Sequence, residues 1–75
     1  MIPAQCRAAR ALINWTQLKL AEAAGLGLST VVDFEKERRK VSPEAENAMQ
    51  AALESAGVIF VAENGLGAGV RLRKI

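Results

Sequence analysis

Helix-stopping residues divide the apolar periods of this chain into short helices. Asn14, Gly25 and Gly57 each stand where an apolar period ends, and Asn and Gly are the residues that accept the left-handed conformation common just past a helix end. Pro3 suits a first helical turn, and Cys6, Ala9, Leu12 and Ile13 follow it at three- and four-residue spacing, which predicts a helix over about 3–13. Thr16 is placed to cap a second helix over about 17–24, with Trp15 before it able to pack on Leu20 as a hydrophobic staple. The third helix spans about 28–35, with Gly27 as its cap. Val31 and Phe34 turn inward, Leu26 packs from the preceding turn, and Ser29, Thr30 and Asp33 lie off that stripe. Ser42-Pro43 opens a fourth helix over about 43–56, where Glu44 and Glu46 complement the positive helix start. Helices this short are marginal alone in water, so each must be held by the others.

After Gly57 the period changes. Val58-Ile59-Phe60-Val61-Ala62 is β-branched and aromatic, Asn64-Gly65 is a turn signal, and Val70-Arg71-Leu72-Arg73 alternates apolar with basic, which predicts a β-hairpin over about 58–73. The connecting segment is longer than a two-residue turn, which leaves the register open. The first strand is apolar on both faces, and an isolated hairpin is barely stable. Something must cover its second face or its edge, and a copy of the same chain is the simplest cover, through Val58, Ile59, Phe60 and Val61.

Seventy-five residues make one domain, 1–75, with room for no second. One cysteine and no histidine remove the internal disulfide and the Cys/His zinc cage, so neither metal nor cofactor is expected, and a lone thiol suits a reducing compartment. The cytoplasm is the expected address. With 51% hydrophobic and 24% charged residues the composition is that of a folded chain. No run approaches the roughly 20 apolar residues that span a bilayer, and the first residues lack the basic flank and apolar stretch of a signal peptide. Enzyme chemistry finds little support without a histidine, a metal-ligand cluster or a carboxylate pair in a pocket. The net charge is only +2, yet Lys36, Arg38, Arg39 and Lys40 crowd one short stretch opposed there only by Glu37. Such a local positive patch attracts a polyanion.

Residues Gln17 to Phe34 resemble the helix-turn-helix of the Cro/cI-like family of bacterial and phage transcription regulators, also called the xenobiotic-response-element type. Gln17 opens the first motif helix, Leu20 is its inward apolar position, Ala21 is the small residue where the helices cross, Ala24-Gly25-Leu26 makes the turn, and Val31 and Phe34 anchor the second helix. Arg10 and Glu35 occupy positions that form an ion pair in many family members. The resemblance covers about residues 3 to 56. It implies a mainly α fold, four short helices of a lambda-repressor-like DNA-binding domain, here with the C-terminal hairpin in place of the family's fifth helix. It also implies sequence-specific binding of double-stranded DNA as a homodimer on a palindromic operator, the recognition helix 28–35 of each subunit entering successive major grooves about 34 Å apart.

On that reading the outward residues of the recognition helix meet base edges. Leu28 and Val32 can touch thymine methyls, Ser29 can bond a base edge or a phosphate, and Asp33 can accept from a cytosine amino group. The helix itself carries no arginine for guanine. Phosphates fall to Gln17 and Lys19 in the first turn of the preceding helix, to Thr30, and to Lys36, Arg38, Arg39 and Lys40 beyond the recognition helix.

Other readings stand beside these. Leu28 and Val32 equally suit a protein contact surface, which would make the chain a protein-interaction module such as an antitoxin or an anti-activator. Arg10 with Glu35 is a surface pair worth under about 1 kcal/mol unless it is partly covered. Cys6 is a small apolar packer. The glycine-rich Gly65-Leu66-Gly67-Ala68-Gly69 is a hairpin connection, since no helix follows it to hold a phosphate. Arg71, Arg73 and Lys74 are a wet strand face, a second DNA contact or edge protection.

Overall fold

Local backbone chemistry sets where each helix begins and ends. The computed structural model describes residues 1–74. It contains α1 (Pro3–Leu12), α2 (Gln17–Ala24), α3 (Leu28–Glu35) and α4 (Pro43–Ser55), then an antiparallel pair, β1 (Val58–Val61) and β2 (Gly69–Leu72). The Thr16 hydroxyl accepts from the Lys19 N–H at 3.0 Å, and the Ser42 hydroxyl accepts from the Ala45 N–H at 3.1 Å. Caps of this kind contribute about 1 kcal/mol each. Asn14 and Gly25 take left-handed conformations, at φ 57° and 70°, after α1 and α2. The expected mainly helical domain with a C-terminal hairpin is the observed fold. The first and fourth helices each stop one residue short of expectation, with Ile13 and Ala56 as end residues.

The core draws on every helix and on the first strand. Cys6 and Ala9 of α1, Leu20 and Ala21 of α2, Val31 and Phe34 of α3, Met49 and Leu53 of α4, Val41 and Val58 are all buried. Trp15, Leu26, Ala45, Phe60 and Val70 pack around them half-buried. Leu12, expected on the inward stripe, is 41% exposed. Six residues past Cys6, it lies about a third of a turn away around the helix, and Ile13 takes its place against the core.

The hairpin register pairs Val58 with Leu72, Ile59 with Arg71, Phe60 with Val70 and Val61 with Gly69. Alternation therefore turns Val58, Phe60 and Val70 towards α1 and α4, while Ile59 and Arg71 share the outer face. Val58 is thus buried in the core of its own chain. The Gln5 amide, from the first turn of α1, donates to the carbonyls of Val61 and Gly69 at 3.2 and 2.9 Å, tying the loop end of the ladder to the helices. The long connection is ordered by its own side chains. Glu63 accepts from the N–H groups of Gly65 and Gly67, and Asn64 from that of Leu66.

The chain leaves α3 through a second non-glycine left-handed residue, Glu37, at φ 56°. Its N–H donates to the Phe34 carbonyl, and the Arg38 N–H donates to the Asp33 carbonyl at 2.9 Å, which folds the basic segment back along the helix end. A Cβ in this conformation costs about 1 kcal/mol. Glu37→Gly is expected to raise the unfolding free energy by about 0.5–1 kcal/mol, as a higher urea midpoint with an unchanged slope, and Glu37→Val to lower it.

Candidate nucleic-acid interface

The last residue of α3, Glu35, is only 2% exposed and still carries a carboxylate, so its charge must be met by donors. Four side-chain contacts meet it. Arg10 Nε and Nη2 donate to the two oxygens at 2.6 and 2.7 Å, a bidentate pair. Gln17 Nε2 donates at 3.0 Å, and the Cys6 thiol at 3.1 Å. Arg7 donates to the Glu35 backbone carbonyl, and Arg10 Nη1 to the Trp15 carbonyl. One carboxylate thus joins α1, the start of α2 and the end of α3, and Arg10 carries the link on to the α1–α2 turn. Among the described residues no buried side-chain polar atom lacks a partner.

These surroundings set the protonation states. Burial alone would raise the Glu35 carboxyl. The hydrogen bonds from Arg10, Cys6 and Gln17, with the Arg10 charge, more than reverse this and hold it below its ordinary value near 4.5. The Glu35 hydrogen bonds push the Arg10 guanidinium up. Burial first, then the Glu35 hydrogen bond and charge, push the Cys6 thiol far up, so it remains a neutral donor. The sequence pairs Arg10 with Glu35 but does not place Cys6 or Gln17 on the same carboxylate. A signal for Cys6 was present, since Cys6 and Arg10 stand four apart and share one helix face.

With its inner side so anchored, α3 turns Leu28 and Ser29 outward, and Leu28 is 44% exposed. Thr30, Val32 and Asp33 are half-buried. Gln17 is half-buried too, and its donation to Glu35 means that it meets a ligand as an already oriented group rather than a free one. Lys19 lies over the Trp15 ring, 5.6 Å from its centre, at the start of α2. Lys36, Arg38, Arg39 and Lys40 are all exposed beyond the end of α3. Two expected roles meet in one contact: Arg39 Nε donates to Asp33 Oδ2 at 2.9 Å. Asp33 is therefore not a free acceptor, nor Arg39 a free cation.

Of the expected interface between copies, Ile59 is exposed, and Phe60 and Val61 are half-buried. Among the described residues no group of three or more His, Cys, Asp or Glu is placed to hold a metal ion. No described helix is long and apolar enough to cross a membrane.

A family model described as helix-turn-helix matches residues 7–52, more than half of the chain, from the middle of α1 into α4. No curated protein matches it.

Removing one partner of a buried charge costs about 3–5 kcal/mol. Arg10→Met is expected to destabilise the domain by about that much in urea unfolding at pH 7, a large share of the stability of a typical domain. The sign with pH follows from the lowered Glu35 value. The stability it contributes is complete above about pH 4.5 and is lost as pH falls through the folded-state value. In the variant Glu35 is buried unpaired and is relieved by protonation. The difference between the two proteins should therefore shrink on acidification, and a gap independent of pH would contradict the account.

Proposed function

The chain belongs to the Cro/cI-like helix-turn-helix family of DNA-binding domains, and on that premise we propose that it is a transcription regulator that binds double-stranded DNA sequence-specifically with α3 in the major groove. The observation that carries the reading is the two-sidedness of α3. Val31, Phe34 and Glu35 are buried and anchored, while Leu28 and Ser29 stand open to solvent at one end of the helix and Lys36, Arg38, Arg39 and Lys40 are exposed beyond its other end. In this reading Leu28, Ser29 and Val32 meet base edges. Lys19, Thr30, Lys36, Arg38 and Lys40 contact phosphates, and Gln17 offers the amide edge that Glu35 leaves over.

A second copy would double a half-site readout that is modest by itself. We place the contact between copies on the hairpin, around exposed Ile59 with the half-buried Phe60 and Val61, and the operator is then palindromic. A regulator of this kind fits the bacterial cytoplasm, whether a bacterium or a phage encodes it.

Exposed Leu18 and Leu28 favour one rival, a protein-interaction module on the same scaffold. Retention on random duplex DNA at two salt concentrations separates the two, because phosphate contacts make binding salt-dependent and an apolar protein contact does not. For the DNA reading, Arg38→Ala and Lys40→Ala are each expected to weaken all duplexes alike in fluorescence anisotropy titrations. Each should also lower the slope of log affinity against log salt by about 0.9. Slopes identical to that of the unaltered protein would remove these residues from the interface.

A further inference from the structure

The segment 28–35 contains no arginine or lysine, so α3 has no basic side chain of its own for the bidentate contact with a guanine. We propose that Arg39, a residue outside the recognition helix, supplies that contact, and that Asp33 positions it. The inference rests on the DNA-binding reading above.

The chain turn after α3 makes this possible. The left-handed Glu37 and the Arg38 N–H bond to the Asp33 carbonyl reverse the backbone, which brings Arg39 alongside a residue six positions earlier. The guanidinium is then held by its Nε, 2.9 Å from Asp33 Oδ2, on the helix position that follows Ser29 by one turn on the same face. Nη1 and Nη2 take no part in that contact. The Arg39 side chain is 51% exposed against 22% for Asp33, so the arginine is the more accessible partner of the pair.

Two parallel N–H groups on such a fork match the O6 and N7 acceptors of guanine in the major groove. The neighbouring carboxylate decides between base and backbone. A phosphate at the fork would be repelled by Asp33 and would compete with it for the same cation, whereas the guanine acceptors are uncharged. The pair also removes the repulsion that a bare Asp33 would feel from DNA. Asp33 thereby changes from a reader of cytosine into a support for the arginine.

The test is selection of bound duplexes from a randomised pool by the full chain and by Arg39→Lys, Arg39→Gln, Asp33→Asn and the Asp33→Asn/Arg39→Gln double variant. The unaltered protein should enrich a guanine at one position of its site by about tenfold over other bases. Both Arg39 variants should abolish that preference. Asp33→Asn should reduce it at the same position, and should add nothing in the Arg39→Gln background. Arg39→Gln weakening every duplex equally, with a lower salt slope, would make Arg39 a phosphate contact and overturn the proposal. So would Asp33→Asn changing preference at a different position. Salt-dependent retention without any enriched sequence overturns this inference alone, while no retention on duplex DNA overturns the DNA-binding reading with it.

Discussion

A carboxylate that has left water must be met on all sides, and in this domain that requirement organises the helices. Glu35 closes α3 while Arg10 and Cys6 come from α1 and Gln17 from the start of α2. Two helices of only eight residues cannot hold a fixed angle by propensity. Apolar contacts at Leu20, Ala21, Val31 and Phe34 supply most of the cohesion, but such contacts are non-directional. The hydrogen bonds to Glu35 are directional and charge-assisted, so they select one rotation of α3 about its axis. That rotation is what leaves Leu28 and Ser29 facing outward.

The same anchoring joins the interior to the working surface. Gln17 is bonded inward to Glu35 and stands at the start of α2. On the proposed reading, the free energy of orienting that amide for a phosphate is met on folding rather than on binding. Asp33 does for Arg39 on the outer side what Glu35 does for Arg10 on the inner side. The two pairs differ in environment: Glu35 is sealed by the core, whereas Arg39 is half in water, so the inner pair governs stability and the outer one orientation. The hairpin completes the domain from the far end, with Val58 in the core and the Gln5 amide across the last pair of the ladder.

Much of this is legible in the sequence. Thr16 and Ser42 as caps, Asn14 and Gly25 as stops, and Val31 and Phe34 as inward anchors are local features, set by bonding within four residues or by one residue's allowed backbone angles. Leu12 misled because three- and four-residue spacing admits positions at the margin of a stripe, and only the neighbouring elements decide which margin is covered. A strand apolar on both faces likewise does not say which face its own helices will take, and packing gives them Val58 and Phe60. Glu37 carried no warning, since an acidic residue seldom adopts a left-handed conformation.

The sequence by itself determined the number of elements, their approximate limits, the family resemblance and the crowding of cations after the third helix, because each of these is written in short-range spacing. Tertiary structure decided which donors converge on Glu35, which strand face is dry, and that Arg39 folds onto Asp33. Cys6 and Glu35 are 29 positions apart, and Gln5 and Gly69 are 64. No periodicity or capping rule spans such distances. They are closed only when burial brings the helices together and the polar groups caught between them must find partners.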